Sequence, residues 1–207
     1  MKETLVEKIV DLEWEMFQKT QNAGGRAWCQ DDRFQFDTNR KGQFFQWDEK
    51  TLQLYLKDLE DAQLKGQNPV SLKYAYMMES TWPDEFLQIR EKLPEIGEEK
   101  TALIRNMTEQ MISWCEEFEK KYPNLAKRSR PIHKSNDGNG VTSVETYFKG
   151  ELSTYSLETL NSLLAVYESF HKNAKNFYEM SVETQMKLAY GKTLDDVEKM
   201  MQYLFCS

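Results

Sequence analysis

The chain has 207 residues, of which 40% are apolar, 13% aromatic and 29% charged, enough to bury a core without disulfide or metal staples. Nine glycines and five prolines are too few for a turn-rich all-β fold or a flexible linker protein, and two histidines leave little material for a histidine-built metal centre. Lys plus Arg total 27 against 34 Asp plus Glu, a net charge of -7, so a general DNA or RNA binder, which needs a basic face, is not expected.

Apolar residues recur at helical spacing almost throughout. The opening Met1-Lys2-Glu3-Thr4 leads into a charged helix rather than an apolar signal core. Leu5, Ile9, Leu12 and Met16 mark one face of a helix ending near Lys19. Asn22-Ala23-Gly24-Gly25 breaks it. Asp31 or Asp32 caps a second helix carrying Phe34 and Phe45, and Asp48 caps a third, with Leu52, Tyr55, Leu59 and Ala62 in a stripe and Gly66 as its terminator. After Asn68-Pro69, a short helix carries Leu72 and Ala75. Thr81 with Asp84 suggests the cap of the next helix, which stops at Pro94.

The clearest helix runs from about Glu98 to Lys121, where Ile104, Met107, Met111, Trp114 and Phe118 alternate steps of three and four. Residues 123–141 lose the periodicity and form one long loop with Lys127, Arg128, Arg130, His133 and Lys134. Thr142 with Glu145 reads as a capping box. Ser156 caps a long helix expected to continue through Phe177, Gly191 interrupts, and Thr193 with Asp196 opens a last helix carrying Val197, Met200, Met201 and Leu204. These features predict an all-α fold: a single-domain multi-helix bundle or orthogonal helical array over 1–207, with a subdomain division, if any, at the 123–141 loop.

Three well-separated cysteines, Cys29, Cys115 and Cys206, with no C-x-x-C, read as reduced thiols in a cytoplasm. No apolar run approaches the ~20 residues of a membrane helix.

Two segments carry more chemistry than a helix connection needs. In Asn22-Ala23-Gly24-Gly25-Arg26-Ala27-Trp28-Cys29-Gln30-Asp31-Asp32, glycines permit close backbone approach, Arg26 offers a bidentate anion grip, and Cys29 stands near a helix N-terminus with Asp32 beside it. The plainer reading is a well-capped turn. Thr142 to Ser156 packs hydroxyls, two phenols and two carboxylates around Gly150, with Glu145–Lys149 and Tyr147–Glu151 each four apart. Its plainer reading is a capping box, a surface ion pair and a bend at Gly150.

These two segments, with Ile9-Val10-Asp11-Leu12-Glu13-Trp14-Glu15, Arg40 with Gln43 and Trp47, and Met77-Met78-Glu79-Ser80-Thr81, resemble the pattern of an uncharacterised bacterial family catalogued as domain of unknown function 4125. The resemblance runs from the first helix to about Gly191. It implies a bacterial cytoplasmic helical protein and no particular reaction. Trp28 stands where the family pattern has a small residue, and Lys149 where it has arginine, which removes a bidentate donor there.

No phosphate loop, dinucleotide fingerprint, nucleophile elbow or zinc-protease helix occurs. Glu168-Ser169-Phe170-His171 supplies one Glu-x-x-His, and no second forms around His133, which argues against a di-iron bundle. A carboxylate-bound magnesium or calcium among Glu13, Glu15, Asp31, Asp32 and Glu79 stays open, as does a Cys29–His133 pair oriented by Asp137. The leading expectation is a small-molecule binding domain or enzyme for an anionic or polar ligand. Its candidate catalytic groups are Cys29, Asp32, Glu145, Tyr147 and Glu151, and its candidate ligand-binding groups Arg26, Gln30, Arg40 and Tyr155; the sequence names no cofactor. The two blocks are then expected to line one pocket. The alternative is a non-catalytic protein-interaction or regulatory module whose polar blocks are structural.

Overall fold

The computed structural model of the chain describes residues 1–21, 25–138 and 141–205, the side chains of 203–205 excepted. Its fold is all-α. Eleven α-helices follow in order among the described residues: α1 (Lys2–Gln18), α2 (Arg33–Phe44), α3 (Glu49–Leu64), α4 (Pro69–Thr81), α5 (Pro83–Ile89), α6 (Glu98–Lys121), α7 (Pro123–Ala126), α8 (Val144–Leu152), α9 (Leu157–Lys172), α10 (Phe177–Tyr190) and α11 (Leu194–Phe205). The only β-pairing described is an isolated bridge between Gly138 and Val141.

Local chemistry sets most boundaries. Asp32, Asp48, Asn68, Ser156 and Asn176 each accept a hydrogen bond from a backbone N–H three residues on, capping α2, α3, α4, α9 and α10. Thr193 and Asp196 bond reciprocally ahead of α11. Gly66 and Gly191 follow α3 and α10 with φ of +67° and +63°, the left-handed conformation that satisfies terminal carbonyls and suits glycine.

Several expectations are corrected. The helix predicted from Ser156 through Phe177 is two helices: α9 stops at Lys172, Ala174 turns left-handed with φ +50°, and Asn176 starts α10. The signal lay in Asn173 and Asn176, whose side chains bond local backbone rather than continue a helix. Ser143, not Thr142, caps α8, because its Oγ accepts from the Thr146 N–H at 3.2 Å. Thr81 ends α4 instead of capping α5, which starts at Pro83. Phe34 and Met200 face solvent. The 123–141 stretch contains α7 and a 3-10 turn at Lys134–Asn136. The Asn22-Ala23-Gly24 part of the first break, Cys206 and the Leu204 side chain lie outside the described residues.

One cluster of buried apolar side chains draws on α1, α2, α3, α4, α6, α8, α9 and α10, with Trp47, Leu59, Met107, Leu152, Leu160 and Leu163 fully enclosed. A smaller cluster joins the end of α6 and α7 to α11 through Phe118, Tyr122, Leu125, Leu194 and Val197. Trp47 and Trp114 are core residues, as the sequence suggests; Trp14 is partly buried against the same core. No helix among the described residues is long and apolar enough to cross a membrane.

Candidate functional site

Four helices each turn one charged residue into the core. The buried stripe of α1 is Val6, Ile9, Val10, Glu13, Met16 and Phe17, rotated from the predicted Leu5–Leu12 face, and this rotation carries Glu13 inward. On α2 the buried residues include Arg40 beside Phe44. On α4 they are Pro69, Val70, Lys73 and Met77, in place of the predicted Leu72–Ala75 stripe. On α8, Glu151 lies among Phe148, Gly150 and Leu152.

These side chains meet. Arg40 donates from Nε and Nη2 to the two oxygens of Glu13 at 2.6 and 2.7 Å, the parallel fork that suits a guanidinium to a carboxylate. Its Nη1 donates to both Glu151 oxygens at 3.1 Å and to Gln43 Oε1 at 2.9 Å. Gln43 Nε2 and the Tyr155 hydroxyl donate to Glu151 Oε1 at 2.9 and 2.6 Å, and the Tyr55 hydroxyl donates to Glu13 Oε1 at 2.6 Å. Lys73 Nζ donates to the Tyr147 hydroxyl at 2.8 Å and lies 3.4 Å from Glu151 Oε2. Glu13, Arg40, Lys73 and Glu151 are 3%, 5%, 7% and 2% exposed, so two cations and two anions balance out of water.

Electrostatics follow from that closure. Burial alone would raise the Glu151 carboxyl; the charges of Arg40 and Lys73 and the bonds from Tyr155 and Gln43 outweigh it and bring the group down to about 2. Burial likewise works against the Arg40 charge, and Glu13 and Glu151 outweigh it, holding the guanidinium well above its usual value. Tyr55 and Tyr155 are pushed up, first by burial and then by the adjacent carboxylates. Both phenols therefore stay protonated and donate.

The other candidate residues have different occupations. Gln30 is 1% exposed, donates from Nε2 to the carbonyls of Phe17 and Thr20, and accepts at Oε1 from the Ala27 N–H, so it closes the C-terminal end of α1. Arg26 is half exposed and bonds Asp31, Gln18 Oε1 and the Gln30 carbonyl. Asp32 caps α2. Cys29 is half-buried against the core. Glu145 accepts from the Lys134 N–H at 2.7 Å, and exposed Lys149 stands with it on a cleft between α4 and α8. The Tyr147 ring has two cations near it, Lys73 Nζ at 4.4 Å from its centroid and the Arg130 guanidinium at 5.2 Å.

Arg40, Glu151, Tyr155 and Tyr147 thus belong to one assembly, while Arg26, Gln30 and Asp32 organise the α1–α2 junction. The blocks approach each other across α4, where Tyr74 feels both Cys29 and Tyr147. His133 Nε2 lies 3.4 Å from Glu116. Asp137 accepts from the Ser80 and Thr146 hydroxyls and the Ser143 N–H. Among the described residues no group of three His, Cys, Asp or Glu side chains is placed to hold a metal ion.

Gln43, Tyr55 and Lys73 complete the assembly without having been singled out as site residues, and so does Glu13, which the sequence offered only as one carboxylate for a metal ion. For Glu13 and Lys73 a signal existed: a charged residue at helical spacing within an apolar stripe, Ile9–Glu13–Met16 and Val70–Lys73–Met77.

Gly150 is not a bend. It lies inside α8, where a Cβ would fall 2.7 Å from Met77 Cγ and 2.9 Å from the Lys73 carbonyl oxygen. The missing side chain lets α8 rest on α4 and brings Lys73 to Tyr147 and Glu151. Gly42 plays the same part between α2 and α10, against the Ser181 carbonyl oxygen at 2.8 Å. Gly150→Val is therefore expected to destabilise the protein by about 2–3 kcal/mol in urea unfolding, since backbone cannot yield to the added atoms; an unchanged midpoint would show that the helices separate freely.

Comparison with known families identifies the chain: it belongs to the family described as protein of unknown function (DUF4125), whose profile matches residues 3–199. No curated protein and no solved structure matches it.

Proposed function

We propose, taking membership of this uncharacterised family as the premise, that the chain is a non-catalytic interaction or regulatory module in one helical domain, and that its two polar blocks fix helix packing. The observation that carries this reading is the closure of Arg40. All three guanidinium nitrogens donate to protein acceptors, so no face is left for a ligand. A buried, fully satisfied polar network specifies one packing of its helices. Free thiols at Cys29 and Cys115 support a reducing, cytoplasmic setting.

One observation favours the small-molecule reading instead. At the Tyr147 edge two cations, Lys73 and Arg130, flank one phenol, which suits an anionic or polar ligand. Native mass spectrometry of protein isolated without denaturation separates the two readings. The module reading expects the bare chain mass. A retained small molecule that Tyr147→Phe releases would establish the ligand site and overturn the structural reading.

A further inference from the structure

A second cavity lies away from the ionic network. It is enclosed by α6, the 123–141 segment, the start of α8 and α10, and holds about 170 Å³. Cys115 forms its floor, and Phe118, Ile132, Val144 and Tyr178 form its walls. Cys115 and Phe118 are buried, whereas Ile132, Val144 and Tyr178 are only partly covered, as expected of walls that face an opening. An engineered apolar cavity of ~150 Å³ takes a benzene ring, so this space fits one branched aliphatic or small aromatic side chain. It is too small for a nucleotide or a drug-sized molecule, whose pockets begin near ~300 Å³.

The rim carries one charge of each sign, Arg130 and Glu119. Both are exposed. Arg130 donates to the Thr142 carbonyl at 3.2 Å and stacks on Tyr147, and neither rim residue forms an ion pair with another described residue. An apolar hole lined by one cation and one anion, neither of them ion-paired with another described residue, complements a molecule with an apolar body, a carboxylate and an ammonium close together.

We infer that this cavity binds a free apolar α-amino acid, with the side chain among Phe118, Ile132, Val144 and Tyr178, the α-carboxylate on Arg130 and the α-ammonium on Glu119. A monocarboxylate would leave Glu119 facing an anion, and an amine would leave Arg130 facing a cation. The zwitterion satisfies both. The inference does not depend on the module reading, because none of these groups belongs to the Arg40 network.

Isothermal titration of the full chain with L-leucine tests it, using 4-methylpentanoate as the carboxylate-only probe and 3-methylbutylamine as the amine-only probe. L-leucine is expected to bind, and each single-charge probe at least about tenfold more weakly, the loss expected for one charge-assisted contact. Arg130→Ala and Glu119→Gln, both exposed changes compatible with folding, are each expected to weaken L-leucine by a similar factor. Val144→Trp, which fills the cavity, is expected to abolish binding with the helical circular dichroism retained. No heat with L-leucine or L-phenylalanine overturns the inference. Equal binding of 4-methylpentanoate and L-leucine, with Glu119→Gln silent, also overturns it in favour of a simple carboxylate site.

Discussion

Arg40→Ala is expected to destabilise the protein by about 3–5 kcal/mol, the usual cost of breaking a buried ion pair from one side. The reasoning rests on what is left behind. Glu13 and Glu151 are nearly inaccessible to water, and the guanidinium joins them. Without it two carboxylates share one pocket with Lys73 as the remaining cation, at 3.4 Å from Glu151. Tyr55, Tyr155 and Gln43 still donate, but hydrogen bonds do not neutralise charge. Because a small domain is stable by only about 5–15 kcal/mol, the variant is expected to be marginal at 25 °C, measurable as a large drop in the urea midpoint. Arg26→Ala removes bonds at a half-exposed position and is expected to cost less, about 1 kcal/mol, since exposed pairs are screened by water. If Arg40→Ala were as mild as Arg26→Ala, the network would carry little of the packing.

Stability is expected to fall on acidification between about pH 4.5 and pH 2, and Glu151→Gln is expected to flatten that part of the profile. The Glu151 carboxyl is held down to about 2 in the fold against an ordinary value of 4.5. A depressed carboxyl binds fewer protons folded than unfolded. Its contribution is therefore fully present above pH 4.5 and is lost as pH drops toward 2, by a few kcal/mol over the window. Asp137 acts in the same direction. Burial would raise it, but the Ser80, Thr146 and Ser143 hydrogen bonds outweigh burial and lower it. Lys73 has the opposite sign, because its folded value lies above the ordinary 10.5. Its contribution is complete below pH 10.5 and fades only above it. Chemical denaturation at pH 2 to 7 for the wild type and Glu151→Gln checks this. Parallel profiles would remove Glu151 from the acid response.

The all-α class and most helices were legible because apolar spacing and capping residues are local signals. Asp32, Asp48 and Ser156 announce the helices they cap, and Ile104 to Phe118 forms a buried seam. What failed was phase. In α1 both Leu5–Leu12 and Val6–Val10–Glu13 have helical spacing, and only the packing partners decide which faces inward. That choice decides whether Glu13 is a surface charge or half of an ion pair. Lys73 was overlooked for a related reason: although it keeps step with Val70 and Met77, a lysine in a short helix reads as solvated, and its burial depends on Gly150 allowing α8 to approach α4. The division of α9 from α10 was missed because hydrophobic spacing runs on from Leu160 through Phe170 to Phe177, while the break is encoded by two asparagines. Block residues such as Arg26 and Gln30 were legible as unusual but not by role, since an amide that closes the end of a helix and one that grips a ligand look alike in sequence.

A double-mutant cycle between Arg40→Met and Glu151→Leu, read by urea unfolding, tests most directly whether the buried charges lock the helices together. The expected coupling is about 2–3 kcal/mol, with the double variant more stable than either single one, because each single change leaves the buried network with one charge in excess, whereas the double change leaves one anion, Glu13, and one cation, Lys73. Additive single effects would contradict the ionic lock and release Arg40 and Glu151 for a ligand.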